Sequence, residues 1–295
     1  MRKEAVMFKR SKMFYVLTLM VIAGLLLAVG CSGNASKTEE KVLKIGKAPY
    51  DYEVPFVEIT KQIAEEQGYK VEIVEGDVAF MFLSLTQGDI DIWPGVWLPS
   101  IHENYQEKYG EQYELGNAIF ENAAVGWVVP SYVKADTIAD LVGNEDMVAG
   151  KLVGFEPGSG MMLLSEEVIE GYDLDIEILE GTLASMMAEV DYAIGQEAPI
   201  LFLGWRPHTM MRKYDVKVLE DPKGFWELDG EYWGMRLNLK ESAPDIYNYC
   251  NSFEMSLDET EDFLYGYQEE DKNIEELATE WITNNRSQID TWLQK

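Results

Sequence analysis

Trp97-Leu98-Pro99-Ser100-Ile101-His102 and Gly204-Trp205-Arg206-Pro207-His208 read as two versions of one phrase, and they decide how the rest of the chain is parsed. Each follows an apolar run with the character of a buried strand, residues 90–93 in one case and 199–203 in the other. Each runs on to a Lys-Tyr pair, Lys108-Tyr109 and Lys213-Tyr214. The chain has two histidines, and both sit a few residues beyond a Trp-x-Pro. The repetition predicts matching strand-end loops on two lobes that face each other across a cleft.

Working outward from the first phrase, Val42 to Ile45 reads as a strand, followed by a loop from Gly46 to Asp51 that carries Pro49 and Tyr50. Phe56, Ile59, Ile63 and Ala64 recur at helical spacing, and Gly68 stops that helix. Lys70 to Val74 alternates as a second strand. Asp77 is placed to cap a helix that ends at Gln87-Gly88, and Ile90-Asp91-Ile92 is the third strand. This β-α-β-α-β order predicts parallel strands with crossover helices and a ligand site outside their carboxyl ends. Ala123 to Val129 is a further strand closed by Pro130, and residues 131–150 read as the crossing to a second lobe.

The pattern then restarts. Strands are expected at Leu152–Phe155, Asp175–Leu179 and Ile200–Leu203, with helices from Met161 to Glu170 and from Leu183 to Ile194. Tyr232 to Leu237 reads as a strand returning to the first lobe. Helices at Asp245–Phe253, Ser256–Gly266 and Ile274–Trp292 complete the chain, and Ser256-Leu257-Asp258-Glu259 offers a capping box. The expectation is an α/β protein of two lobes, residues 42–130 with 232–295 forming the first and 131–231 the second.

Residues 1–30 read as an export signal rather than as part of the fold. Arg2, Lys3, Lys9, Arg10 and Lys12 precede an apolar stretch from Met13 to Val29, which closes on small residues before Cys31. That ending resembles a bacterial lipobox, so Cys31 is the expected lipidation site and residues 31–41 a polar tether on the outer face of a membrane. A retained transmembrane anchor is the competing reading, at the lower limit of spanning length. Cys250, the other cysteine, falls in a helical pattern and reads as a small core residue. One thiol and two separated histidines lack metal-ligand spacing, so no metal is expected. The formal charge of −29 excludes a general nucleic-acid binder, which needs a basic face for phosphates.

Two features point to binding chemistry. Glu156-Pro157-Gly158-Ser159-Gly160 lies between a strand and a helix, where successive N–H groups and the positive helix end suit an anion. It lacks the Lys-Ser/Thr of a P-loop and the third glycine of a dinucleotide fingerprint, and an ordinary tight turn is its plainer reading. Trp97 and Trp205 follow strand ends and precede proline, which predicts rings at the cleft rather than in the core. Aromatic faces hold a quaternary ammonium group without needing an N–H from it. Tyr50 opens on the same cleft, His102 is placed to donate to a carboxylate, and His208 to orient its own loop. Trp127, Trp281 and Trp292 read as packing residues, while Trp93, Trp226 and Trp233 stay unassigned. Asp89 and Asp91 bracket a strand and read as turn and edge chemistry. No Ser-His-Asp or Cys-His set is visible, so no catalytic residue, enzyme activity or cofactor is expected.

Taken together, Gly88-Asp89-Ile90-Asp91, Trp97-Leu98-Pro99 with His102, Val128-Val129-Pro130, Glu156 to Met161 and Gly204-Trp205-x-Pro207-His208 resemble the glycine betaine-binding lipoproteins of osmoprotectant ABC importers. The resemblance covers residues 42–295. It implies a periplasmic-binding-protein-like fold whose two lobes hinge around a ligand in the cleft between them. It also implies an extracytoplasmic, lipid-anchored receptor that works with an ABC permease and its ATPase subunit. Trp97 and Trp205 match two aromatics of the family's cage, and Tyr50 stands where many relatives carry a third tryptophan. The N–H groups of Gly160 and Met161, with the His102 side chain, match the carboxylate-binding groups. This chain departs from the family at Tyr50, at Phe80-Met81-Phe82, and at Glu231-Tyr232-Trp233-Gly234, where relatives usually carry a histidine-containing stretch. The implied ligand is glycine betaine or a related quaternary ammonium zwitterion such as proline betaine. The alternatives are a choline or carnitine receptor of the same fold and, more remotely, a secreted carbohydrate-active enzyme whose tryptophans stack on sugars.

Overall fold

Residues 41–294 are described by the computed structural model. The expected signal peptide, the lipidation site Cys31 and the tether up to Glu40 lie outside the described residues. Lys41, assigned to the tether from sequence, already belongs to the first strand.

The alternation of Leu43 and Ile45 with lysines builds β1 (Lys41–Lys47), whose apolar side is buried. Pro55 at the start of α1 (Val54–Glu66) suits a helix start, where a missing N–H costs nothing. Phe56, Ile59, Ile63 and Ala64 form its buried face, at the spacing the sequence predicts. After β2 (Tyr69–Glu75), the Asp77 side chain accepts a hydrogen bond from the Phe80 N–H at 2.7 Å and caps α2 (Val78–Gln87) as expected. Gly88 ends that helix at φ 72°, the left-handed conformation glycine adopts without strain. β3 (Ile92–Leu98) follows, then α3 (Glu103–Tyr109), β4 (Tyr113–Ala123) and β5 (Val125–Pro130).

The second half repeats the plan. β6 (Lys151–Val153), α4 (Gly160–Tyr172), β7 (Glu177–Leu179), α5 (Leu183–Gly195) and β8 (Leu201–Trp205) come in order. A short α6 (Met210–Lys213), β9 (Val216–Val218) and β10 (Asp229–Arg236) follow. The C-terminal helices are α7 (Leu239–Ser242), α8 (Pro244–Cys250), α9 (Leu257–Gln268), α10 (Ile274–Asn284) and α11 (Arg286–Gln294). The Ser256–Glu259 capping box is present at the start of α9.

Two five-stranded sheets result, ordered β2-β1-β3-β10-β4 and β7-β6-β8-β5-β9. In each, three parallel strands come first and an antiparallel pair completes the edge. The parallel, crossover-connected halves agree with the restarted pattern read from the sequence.

Several details differ from that reading. β3 runs on through Leu98, so Trp97 lies within the strand, because Trp93-Pro94-Gly95-Val96-Trp97 is buried on both faces and shows no alternation. Trp205 likewise is the last residue of β8 rather than the first of a loop. β5 pairs with β8 and β9, so the chain changes sheet at Ala124 rather than after Pro130. β10 opens at Asp229, three residues before the expected Tyr232. Ile274 to Trp292 is two helices, broken at Asn285.

Asp91 shows why these strands hold their register. Its carboxylate accepts from the Lys44 N–H at 2.7 Å and from Arg236 Nε at 2.6 Å, tying β1, the entry to β3 and the end of β10 together. This is the edge chemistry expected of that residue. Charge-assisted bonds of this kind contribute about 1.5–3 kcal/mol each. Asp91→Ala should therefore lower the unfolding free energy by about 2 kcal/mol or more, measured by urea denaturation at unchanged slope.

Candidate ligand-binding site

The carboxyl ends of β3 and β8 point at each other, and each delivers its tryptophan to one small cavity. Tyr50, Tyr52, Trp97, Phe155 and Trp205 supply the rings, and Ile101, His102, Ser159, Gly160 and Met161 supply much of the remaining wall. The space left between these walls is only about 30 Å³, so the cleft is nearly closed. All three expected cage residues are there, drawn from both halves of the chain. Trp97 and Trp205 are only 4% and 3% exposed, so the rings are sheltered rather than open to solvent.

The rings brace one another edge to face. Tyr50 and Trp205 lie 6.2 Å apart at 76°, and Tyr52 meets Trp97 at 5.4 Å and Trp205 at 6.1 Å. Tyr50 and Tyr52 stack at 5.5 Å with an interplanar angle of 9°. Phe155 closes on Trp205 at 5.5 Å. Such pairs each add about 0.5–1.5 kcal/mol beyond area burial and fix where the π faces point. Tyr52 and Phe155 were not singled out in the sequence. Tyr52 reaches the cavity because residues 51–53 form a tight helical turn that brings it beside Tyr50. Phe155 follows β6, and only the sheet order places it against β8.

Acidic side chains from distant elements hold both tryptophan loops. Asp229, at the start of β10, accepts from the Ser100 N–H at 3.0 Å, the Ser100 hydroxyl at 2.7 Å and the Ile101 N–H at 2.9 Å. Arg206, next to Trp205, makes a bidentate pair with Glu261 of α9 at 2.7 and 2.8 Å. A Leu98–Pro99 and an Arg206–Pro207 cis peptide bond follow the two tryptophans.

His102 is locked as a donor. Its ring Nδ1 accepts the Trp97 backbone N–H at 2.9 Å, while the His102 backbone N–H donates to the Trp97 carbonyl at 3.0 Å. The neutral ring therefore carries its proton on Nε2. Burial pushes its pKa down to about 3, so it is uncharged at neutral pH. His208 accepts the Met210 N–H at 3.0 Å through Nδ1 and packs on Trp205 at 4.9 Å, which orients its own loop as expected.

Opposite His102, Gly160 and Met161 open α4, before any backbone partner is available to their N–H groups within the helix. A side chain at Gly160 would fall on the backbone carbonyl of Ile101, so glycine alone allows the second sheet's helix to come this close to the first tryptophan loop. Tyr105 of α3 reaches across to donate to the Gly158 carbonyl at 2.7 Å. The three residues expected to bind a carboxylate thus share the wall of one cavity with the rings.

Of the unassigned tryptophans, Trp93 and Trp233 are core residues with distinct partners. Trp93 donates to Glu53 at 3.1 Å, and Trp233 is fully buried against Tyr249 and Phe253. Trp226 is half-buried. Trp127 donates to Ser165 at 3.0 Å, and Trp281 stacks on Trp292, in keeping with packing roles. Cys250 is buried in the core.

Residues 41–284 match the family described as the substrate binding domain of ABC-type glycine betaine transport systems. The chain belongs to this family. It is 28% identical over 182 residues to the glycine betaine/carnitine transport binding protein of Listeria monocytogenes, a match that covers 60% of this chain. That match spans 58% of the relative's own length, less than two thirds. Among solved structures, the lactococcal family member in its closed conformation with glycine betaine is 30% identical, with a TM-score of 0.80. It covers 86% of this chain and 100% of its own. The glycine betaine and L-proline binding protein of Borrelia burgdorferi is 28% identical with a TM-score of 0.81, covering 85% of this chain and 96% of its own. The two-lobed α/β periplasmic-binding-protein fold expected from the sequence is the fold these family members share with the present chain.

The state of His102 has a direct test. Nitrogen-15 spectra should show it as the neutral Nε2–H tautomer from pH 8 down to pH 5. Titration near its ordinary value of 6.5 would contradict the buried geometry.

Proposed function

We propose that this protein is the extracytoplasmic solute receptor of an ABC importer and that its cavity binds glycine betaine or a closely related methylated-ammonium zwitterion. One observation carries the reading: a single sheltered cavity combines five aromatic rings with the His102 imidazole and the N-terminus of α4. The rings suit a cation that has no N–H to share, each contact contributing up to about 2 kcal/mol once desolvated. The Nε2–H of His102 and the N–H groups of Gly160 and Met161 suit a carboxylate. Choline has no carboxylate and would leave that second set unpaired, at a desolvation cost of about 1–3 kcal/mol per buried group. Carnitine and proline betaine share both charges with glycine betaine and differ in bulk.

In this reading the two sheets are the cores of lobes that close on the ligand. The links at Ala124 and at residues 219–228, where the chain passes between the sheets, are the hinge. Closure brings Gly160 to Ile101 and Tyr105 to Gly158, and ligand contacts from both lobes favour that state. Transport itself falls to a separate permease and ATPase. Cys31 is the proposed lipid anchor, holding the receptor at the outer face of the membrane. The role is binding rather than catalysis.

Titration of the chain from Ser32 onward with glycine betaine should change tryptophan fluorescence and saturate. No response at millimolar ligand would sink the betaine assignment. Trp205→Ala should weaken binding by about 30-fold, the loss of roughly 2 kcal/mol of cation–π attraction. Gly160→Ala should leave the thermal transition in place yet weaken binding by about 10-fold or more, because the added methyl meets the Ile101 carbonyl only when the lobes close. If His102→Ala left affinity unchanged while Trp205→Ala abolished it, the ligand would be a simple cation such as choline.

A further inference from the structure

Behind the cage lie two acidic side chains that the binding reading does not use. Glu53 directly follows the cage residue Tyr52, and Glu231 pairs in register with Trp97 across β10 and β3. Both are fully buried, at 0% exposure. Glu53 Oε2 accepts from the Ala48 N–H at 2.8 Å and the Trp93 indole N–H at 3.1 Å. Among the described residues, Glu53 Oε1 and both oxygens of Glu231 have no hydrogen-bond partner. The Trp97 indole N–H makes no hydrogen bond of normal geometry either, yet it lies near enough to Glu231 to favour its charged form.

The charged groups around the pair offer little compensation. From β1, Lys47 acts on Glu53 but sits at the surface, paired with Glu75 at 3.3 Å. Tyr50 and Tyr52 are neutral, their hydroxyls pushed up by burial and by Glu53. The neighbouring α1 turns Glu58 toward Lys61, and α9 turns Glu261 toward Arg206. Beside Glu231, β3 presents Trp97 and β4 presents Phe120. Two carboxyls in such a place cannot both ionise, because each lacks a counter-cation and each repels the other. Burial pushes Glu53 up to about 8 even with its two N–H donors, and burial followed by the Glu53 charge raises Glu231 well above the ordinary carboxylate range.

We propose that Glu53 and Glu231 form a proton-holding pair behind the cage, which releases one proton when a quaternary ammonium group enters and so favours a cationic head over an uncharged one of the same shape. The proposal rests on the cage being a quaternary ammonium site. Such a cation cannot be deprotonated and has no N–H to donate, so its fixed charge acts on the wall only through the field. That field favours a carboxylate. Glu53 is the group that ionises, since its Oε2 already accepts two N–H bonds, and its proton passes to bulk solvent. The sign follows from linkage. The cation lowers the Glu53 pKa from its value in the empty protein, so binding releases a proton below about pH 8. Affinity then rises with pH up to about 8 and levels off above it. Any uptake by His102 as it meets the ligand carboxylate has the opposite sign.

Isothermal titration of the protein with glycine betaine at pH 7, in buffers of low and high ionisation enthalpy, reads this directly. The expected result is net release on the order of half a proton or more, with the dissociation constant falling by up to about tenfold per pH unit between pH 6 and 8. The carbon isostere 3,3-dimethylbutanoate, which has no cationic head, should release no proton. Glu53→Gln should abolish the release and flatten the pH profile. Binding heat without buffer dependence, with a flat profile from pH 6 to 9, would overturn the proposal. So would equal release with the isostere, which would trace the proton to closure alone. Absence of any binding heat would overturn the betaine reading and this inference with it. The wild-type measurements decide the matter even if the variant does not fold.

Discussion

How closely the Gly160 backbone approaches the Ile101 carbonyl governs the rest of the cleft. At that distance the first N–H groups of α4 share a wall with His102, and Phe155 and Trp205 come within ring contact of Tyr50 and Tyr52. A side chain at position 160 would separate the two sheets and open every one of those contacts. Interiors are packed too tightly for partial accommodation, so one missing methyl group decides whether a closed site exists.

Closing the site on aromatic rings has a polar cost that the surrounding residues offset unevenly. Asp229 satisfies three donors of the first tryptophan loop, and the Arg206–Glu261 pair anchors the second. His102 is held through Nδ1, which leaves its proton on the other nitrogen. Asp229 and the Arg206–Glu261 pair thus do positional work, while the free Nε2–H of His102 faces the cavity. Glu53 and Glu231 differ: among the described residues three of their four oxygens lack a hydrogen-bond partner, and no lysine or arginine is buried. Unpaired buried carboxyls are costly in either protonation state and most costly when charged. Their position directly behind the cage turns that cost into sensitivity toward whatever charge the cage receives.

Much of the fold was legible in the chain because local chemistry wrote it there. Asp77 and Ser256 announce their helix starts, Gly88 and Gly68 their stops, and the helical recurrence of Phe56, Ile59 and Ile63 marks a buried face. The repetition of Trp-x-Pro with histidine located the two strand ends that meet. Less was visible where neighbours in space, not in sequence, set the structure. β3 has no alternation because both of its faces are covered, so its extent through Leu98 could not be read from periodicity. Asn285 interrupts a helical pattern that continues on either side of it, and nothing in the apolar spacing marks the break.

The sequence by itself determined the repeated α/β order, and it pointed to Tyr50, Trp97, Trp205, His102, Gly160 and Met161 as the residues proposed to bind ligand. Trp97, Trp205 and His102 stand out by residue type, spacing and strand-end position, all of which are local, whereas the roles of Tyr50, Gly160 and Met161 come from the family resemblance. Tertiary structure alone decided that β5 belongs to the second sheet and that Tyr52 and Phe155 complete the ring of aromatics. It also decided which two of the chain's many acidic residues are buried behind that ring. In a chain with 53 Asp and Glu residues, no sequence signal distinguishes a solvated carboxylate from one deprived of water. That distinction is made by the packing around each group, because the cost of a charge depends on its surroundings.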